Sequence, residues 1–190
     1  MIKTSLSHPI RIDALPVAAG MLGLTFCPGK QGDSLTGGSW LRDLDVDVAA
    51  INGWKAGLVV TLMERHEFVL LRVPDLPERV LAHGMDWVHL PIRDVDIPAA
   101  SFDAVWEDVR ADMMTRLKAG GRVVLHCRGG LGRTGIVAAL LLIESGMHAD
   151  TAILTVRRAR PGAIETAAQE RYVRAYRPKG DQQPTAGRQR

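Results

Sequence analysis

Short apolar runs alternate with amphipathic stretches along most of the chain. Runs rich in β-branched and aliphatic residues predict strands at residues 10–15, 21–26, 57–63, 87–90 and 123–125. Patterns of helical period predict helices at residues 41–52, 76–83, 102–118, 136–144, 150–160 and 164–176. In the helix at 102–118 the predicted apolar stripe is Val105, Val109, Met113 and Leu117.

Turn-forming residues separate these elements. Pro16 and Gly20 lie between the first two predicted strands, and residues 27–38 read as a turn-rich loop. Strands that alternate with helices predict an α/β fold, with a central, mostly parallel mixed sheet flanked by helices.

A chain of 190 residues predicts a single domain, which we place at residues 1–177, followed by a polar tail at 178–190 that we expect to be disordered. The formal net charge is only +3, and basic and aromatic residues are not interleaved, so no nucleic-acid partner is expected. Two cysteines form no disulfide framework, which favours a reducing cytoplasm. The longest apolar run, 136–143, is far shorter than the ~20 residues of a membrane span, so no membrane association is expected.

The segment between the last predicted strand and the 136–144 helix has the residues needed to bind a phosphate and attack it. Glycine backbones approach a ligand closely, their N–H groups can form an anion nest, and the following helix adds its positive end. Cys127 is the candidate nucleophile, Arg133 can pair two phosphate oxygens, and Thr134 can hydrogen-bond the departing sulfur. We expect His126 to order the loop rather than transfer protons. The segment consists of His126, Cys127, Arg128, Gly129, Gly130, Leu131, Gly132, Arg133 and Thr134.

A phosphocysteine mechanism also needs a carboxylic acid that protonates the leaving oxygen. Asp94 and Asp96 are both candidates, because they lie on a loop bounded by Pro91 and Pro98 that follows a predicted strand. The residues alone leave the choice between these two aspartates open.

The pattern His-Cys-x5-Arg-Thr with an upstream aspartate loop resembles the cysteine-dependent protein tyrosine phosphatases. More narrowly, the chain resembles dual-specificity phosphatases of the cyclin-dependent-kinase-associated type, including bacterial relatives. The resemblance implies a protein-tyrosine-phosphatase-like fold, no metal and no cofactor. It also implies Asp94 as the general acid and Gln169 as a residue that places the hydrolytic water. The motifs that carry it are 22–25, Pro28-Gly29, 42–44, 89–94, 126–134 and 162–169.

The function that we predict is hydrolysis of phosphomonoesters through a phosphocysteine, in a dual-specificity protein phosphatase. The only tyrosines, Tyr172 and Tyr176, follow the catalytic loop, so no upstream tyrosine deepens the pocket for phosphotyrosine. A kinase partner is left open, since the sequence has no evident docking signal.

Three other functions compete with this prediction. Arg128, which either attracts substrate or points into solvent, is compatible with a phosphatase of phosphoinositides or other small phosphomonoesters. A phosphate- or kinase-binding pseudophosphatase is disfavoured, because every expected catalytic residue is present. A dinucleotide site at Gly130–Gly135 is also disfavoured, because residues 151–160 predict a basic helix and not a second strand with an acidic residue.

Several residues outside the loop have two interpretations. Phe26 and Trp40 either line the pocket or pack in the core. His66 and Glu67 could line the pocket, but a solvated strand end is the favoured interpretation. Cys27 could be a thiol that forms a reversible disulfide with the catalytic cysteine.

Overall fold

A computed structural model of the chain describes residues 2–33 and 37–178. Within these ranges it has eight strands and seven helices, of which the five strands of the central sheet and six of the helices correspond to predicted elements. The strands are β1 (Ile2–Lys3), β2 (Asp13–Val17), β3 (Gly20–Phe26), β4 (Gln31–Asp33), β5 (Ser39–Leu41), β6 (Leu58–Thr61), β7 (Asp86–His89) and β8 (Arg122–Cys127). The helices are α1 (Leu44–Gly53), α2 (Arg65–Leu70), α3 (Leu76–Ala82), α4 (Ala100–Lys118), α5 (Gly132–Glu144), α6 (Ala149–Ala159) and α7 (Ala167–Ala175).

The central sheet has five strands in the order β2-β3-β8-β6-β7. β2 pairs antiparallel with β3, and every other neighbouring pair is parallel. The predicted mostly parallel mixed sheet is therefore confirmed. The sequence does not predict the second sheet of three short strands, β1-β5-β4. Its strand β4 lies in the predicted turn-rich loop at 27–38, and β5 ends at Leu41, where a helix is predicted to begin.

The core is built around α5, in which every residue except Glu144 is buried. A helix that is apolar on all sides is stable only when other elements surround it, and α5 contacts β8, β3, α6 and α7. The helix begins at Gly132, four residues earlier than predicted, so the last part of the glycine-rich segment is already helical.

Two sequence predictions about secondary structure are wrong in detail. Pro16 lies inside β2, opposite Met21, where an edge strand tolerates a residue without an N–H. Val105 is exposed, and the buried face of α4 instead includes Phe102 and Trp106, because the large aromatic side chains bury more apolar surface.

The predicted tail at 178–190 falls outside the described residues except for Pro178. The domain limits at residues 1 and 177 stay a prediction. In the part of the chain that the structure describes, no helix has the length and apolarity that a membrane span requires.

Candidate active site

The glycine-rich loop lies at the carboxyl end of β8, the middle strand of the sheet. β3 and β6 flank β8 on either side and run parallel to it, so the segments that follow all three strands meet at one edge. In α/β folds this edge is where ligands bind. The loop itself is short, since β8 ends at Cys127 and α5 begins at Gly132.

Two basic side chains hold the carbonyl groups of the loop. The Lys30 ammonium donates to the carbonyl oxygen of Arg128 at 3.3 Å. The Arg160 guanidinium donates to the carbonyl of Gly129 at 3.0 Å and also to that of Gly130. In a trans peptide the N–H points away from the C=O of the same peptide unit. When Lys30 and Arg160 bind these carbonyls on one side of the loop, the N–H groups of the same peptide units therefore point to the opposite side.

Gly130 has a backbone conformation that only glycine fits. Its φ is +71°, and a Cβ at this position would lie 2.2 Å from the carbonyl oxygen of Thr25. The amide of Gly130 donates to the Sγ of Cys127 at 3.1 Å. The structure therefore places the sulfur at the base of the loop, where the backbone amide of Gly130 faces it.

Arg133 is fully buried in the first turn of α5, and two carboxylates hold it. Its Nη1 and Nη2 donate to Glu67 at 2.5 and 2.9 Å, and Nη2 also lies 2.7 Å from the Oδ1 of Asp94. Burial alone would lower the pKa of the guanidinium, but the hydrogen bonds to Glu67 and the charges of Cys127 and Asp94 raise it. Arg133 is thus a fixed, permanently charged group.

The favoured interpretation of Glu67 as part of a solvated strand end is wrong. Glu67 lies in α2 and is almost completely buried, while the neighbouring His66 is exposed. Its Oε2 also accepts the amide of Glu64, as in a capping box, so the start of α2 helps to hold the carboxylate in place. The capping pattern Glu64-x-x-Glu67 is the signal from which this helix start could have been found.

The structure separates the two candidate acids. Asp94 lines the cavity above Cys127, and its side chain is 45% exposed. The carboxylate of Asp96 accepts the amide of Ile97 at 2.8 Å, and Asp96 is not among the cavity's lining residues in the described part of the chain. The position of Asp94 therefore favours it over Asp96 as a group that meets substrate.

His126 is held by hydrogen bonds as a buried neutral ring. The Nε2 of His126 lies 2.7 Å from the Oγ1 of Thr61, and that hydroxyl also accepts the indole N–H of Trp87 at 2.9 Å. Burial lowers the pKa of His126 to about 3. These contacts agree with an ordering role for His126.

Thr134 and Gln169 lie behind the loop. Thr134 is fully buried, and its hydroxyl has no hydrogen-bond partner within the described residues. Gln169 is also buried; its Oε1 accepts the amides of Glu165 and Thr166, and its Nε2 donates to the carbonyl of Asp96. Gln169 thus connects the loop before α7 with the loop that carries Asp94, and its water-positioning role stays a prediction.

Glu165 is a carboxylate at the cavity that the sequence interpretation missed. Its Oε2 accepts the amide of Gly132 at 2.7 Å, and the residue lines the same cavity as Cys127. Ile164, just before it, has a φ of +58°, which is rare for a β-branched residue. In the sequence, Glu165 directly follows the motif Gly162-Ala163-Ile164, and this position was the only available indication that it lies near the site. Nothing in the sequence indicated the contact with Gly132.

A cavity of about 290 Å³ opens above the loop. Phe26 and Trp40 line it, so their interpretation as pocket wall is confirmed, and their ring centroids are 5.5 Å apart. Arg128 is half-buried at the same cavity. The lining residues are Phe26, Lys30, Gln31, Asp33, Trp40, Leu71, Asp94, Val95, Cys127, Arg128, Gly129, Leu131 and Glu165.

Cys27 lies next to the loop as a free, buried thiol. Its amide donates to the carbonyl of Arg128 at 3.4 Å, and its Sγ donates to the carbonyl of Pro28. Burial strongly raises the pKa of this thiol. A disulfide between Cys27 and Cys127 stays a prediction.

Comparisons with known proteins agree with this geometry. The family model described as "Swiss Army Knife protein, DSP-PTPase phosphatase domain" matches residues 42–173. Cyclin-dependent kinase inhibitor 3 of Mus musculus is 30% identical over 177 residues, which cover 90% of this chain and 80% of that protein. Protein tyrosine phosphatase type IVA 3 of Mus musculus is 45% identical over 74 residues, covering 36% of this chain and 42% of that protein.

Solved structures show the same relationship. The crystal structure of kinase associated phosphatase, with its catalytic cysteine replaced by serine, matches with a TM-score of 0.77 at 27% identity. The match covers 87% of this chain and 92% of that one. Tk-PTP in its active form matches with a TM-score of 0.61 at 27% identity, over 80% of this chain and 87% of that one.

The fold and the loop therefore define a phosphatase domain of the protein-tyrosine-phosphatase type. The chain belongs to the family of Swiss Army Knife proteins with a DSP-PTPase phosphatase domain.

Proposed function

We propose that the protein is a dual-specificity protein phosphatase that works through a phosphocysteine intermediate. The observation that carries the proposal is that Cys127 and the half-exposed Asp94 line one cavity, while the Asp94 carboxylate lies 2.7 Å from the buried Arg133 guanidinium. Membership of the DSP-PTPase family supports it.

In the first step the Cys127 thiolate attacks phosphorus in line, and the bond to the leaving oxygen breaks. Asp94 gives its proton to that oxygen, which lies toward the mouth of the cavity. The loop amides and Arg133 bind the equatorial phosphate oxygens throughout, so the developing charge is stabilised by fixed donors. Arg133 offers its Nε, which has no partner within the described residues, and its Nη2, which exchanges Asp94 for the phosphate and so frees that carboxyl to carry the proton.

In the second step water attacks the phosphocysteine, and the ionised Asp94 accepts its proton. Phosphate is released, and the sulfur leaves as thiolate. The buried Thr134 hydroxyl, which lacks a partner within the described residues, is available to donate to that sulfur. Gln169 acts in this step by fixing the position of the Asp94 loop through its bond to the Asp96 carbonyl.

The first test is hydrolysis of p-nitrophenyl phosphate, with vanadate as inhibitor and EDTA as a control for metal dependence. Cys127→Ser should fold and bind phosphate but show no turnover. Substantial residual activity in that variant would rule out the phosphocysteine mechanism.

A second test separates the two aspartates. Asp94→Asn should lower kcat by about 10²- to 10⁴-fold on substrates with poor leaving groups, as loss of a general acid does. The loss should be smaller for p-nitrophenyl phosphate, whose leaving group needs less protonation. Asp96→Asn is the matched control, and an equal or larger effect there would assign the acid to Asp96 instead.

The substrate class is tested with phosphopeptides. Wild-type protein should dephosphorylate both phosphotyrosine and phosphothreonine peptides of matched sequence. Activity on phosphotyrosine alone would contradict the dual-specificity assignment.

A further inference from the structure

Lys30 has an unusual environment for a charged side chain. The residue is only 8% exposed, and its Nζ lies 4.5 Å from the ring centroid of Phe26 and 4.4 Å from that of Trp40. Its hydrogen bond to the Arg128 carbonyl uses one of the three ammonium protons. Within residues 2–33 and 37–178, it forms no ion pair with a carboxylate.

The other buried cations near the site all have a carboxylate partner. Arg42 pairs with Asp47, Arg133 pairs with Glu67, and Arg160 pairs with Asp13. Burying an unpaired cation is costly, and burial lowers the pKa of the Lys30 ammonium to about 8. Lys30 therefore lacks the carboxylate partner that the neighbouring cations have.

Lys30 lines the same cavity as the catalytic loop, but it does not belong to that loop. It lies on the wall with Phe26 and Trp40, next to Arg128, which also forms no ion pair in the described part of the chain. Three carboxylates lie in the same lining, and none of them pairs with Lys30 or Arg128: Asp94 is bound by Arg133, Glu165 accepts the Gly132 amide, and Asp33 is exposed. Within the described residues, the wall thus offers positive charge without a carboxylate partner.

We propose that Lys30, together with Arg128, binds a second anionic group of the substrate, so that the preferred substrate is a phosphopeptide with an acidic side chain beside the phosphorylated residue. This inference rests on the proposed phosphatase function and names the substrate class of the same site. The rings of Phe26 and Trp40 hold the ammonium in place and would flank the part of the substrate that joins its two anionic groups.

The main test uses aryl phosphates with a carboxylate in the ortho, meta or para position, each compared with its neutral carboxamide analogue. Wild-type protein should prefer the carboxylate in at least one pair, by about tenfold in kcat/KM, as expected for a hydrogen bond to a charged group. Lys30→Gln keeps a donor for the Arg128 carbonyl but removes the charge, and it should bring this ratio close to one. Lys118→Met, an exposed lysine at the end of α4, is the control and should leave the ratio unchanged.

Three outcomes would overturn the proposal. The first is a wild type that shows no preference for any carboxylate, and the second is a preference that survives in Lys30→Gln. An equal loss on the charged and neutral members of every pair would mean that Lys30 only supports the loop, which also contradicts the proposal.

Failure of the proposed function itself can be recognised separately, because the wild type would then hydrolyse none of these compounds. In that case binding is measured by calorimetry on Cys127→Ser, with inorganic pyrophosphate and inorganic phosphate as probes. Pyrophosphate should bind more tightly, and the added Lys30→Gln change should remove that advantage. A ratio of affinities that does not change with Lys30→Gln would refute the subsite.

The source of the second anion is tested with matched phosphopeptides that carry Glu or Gln next to the phosphorylated residue. The Glu peptide should be the better substrate, and the difference should disappear in Lys30→Gln. Equal rates on the two peptides would overturn the assignment to peptides, and a preference for a soluble inositol bisphosphate over the monophosphate would then identify a second phosphate as the anion.

Discussion

Replacing Glu67 with glutamine tests whether one buried carboxylate fixes the phosphate-binding arginine. The side chains of Arg133 and Glu67 are 1% and 3% exposed, and two hydrogen bonds of 2.5 and 2.9 Å join them. Removing one partner of a buried pair commonly costs about 3–5 kcal/mol, because the remaining charge stays buried. Asp94 also contacts the guanidinium, so we expect a loss of about 3 kcal/mol in the free energy of unfolding, at the low end of that range.

Activity should fall as well, since the new amide N–H₂ faces the guanidinium and displaces it. A displacement of about 1 Å in a positioned group can cost about 10²-fold in rate. Urea unfolding measures the first effect, and kcat/KM on p-nitrophenyl phosphate measures the second. Glu170→Gln is the matched control, because its pairs with Arg157 and Arg174 are partly exposed and should contribute about 1 kcal/mol or less.

The reasoning would be refuted if Glu67→Gln unfolded at the wild-type urea concentration and kept the wild-type kcat/KM. A variant that lost stability but kept its activity would show that the pair stabilises the fold without positioning Arg133.

Three further predictions follow from the site. Because burial lowers the pKa of His126 to about 3, the unfolded chain takes up a proton between about pH 6.5 and pH 3 that the folded chain does not. The free energy of unfolding should therefore fall as the pH drops through this window, and His126→Asn should reduce the slope by up to about 1.4 kcal/mol per pH unit in urea titrations at several pH values. Glu165→Gln removes a charged competitor for the Gly132 amide and should lower the inhibition constant of inorganic phosphate about fivefold; an unchanged constant would show that the carboxylate does not compete. Arg160→Lys keeps the charge but loses the planar fork that holds two loop carbonyls, so vanadate should bind at least about tenfold more weakly, and wild-type affinity would contradict this role.

The centre of the site could be predicted from sequence because its parts are close along the chain. Cys127 and Arg133 are separated by five residues between a predicted strand and a predicted helix, so their approach follows from covalent geometry. The strands of the central sheet were recognisable for a similar reason, since each is a short run rich in apolar residues, and β6 and β8 are almost completely buried.

The surroundings of the site could not be predicted in the same way. Glu67, Lys30 and Arg160 come from three distant segments, and only the strand order β3-β8-β6 and the packing of α6 bring them to one loop. The sequence pattern of a charged residue next to an apolar run, such as Glu67, does not tell whether the side chain is solvated or buried against an arginine. The choice between Asp94 and Asp96 had the same difficulty, because loop direction decides which carboxylate faces the cavity.

The small sheet and α2 were missed because their signals are weak. β1, β4 and β5 have two or three residues each, too few to show a period. α2 has six residues and buries only Glu67 and Phe68, so its pattern is not that of an amphipathic helix.

The contacts of Arg160 connect the two ends of the domain through the catalytic loop. Its Nη1 lies 2.7 Å from Asp13, at the start of β2 and 147 positions away, while its other nitrogens hold the loop carbonyls. An anion that orders the loop should therefore also slow amide hydrogen exchange in β2 and at the end of α6. Exchange rates at these distant sites would report occupancy of the phosphate position without any label in the cavity.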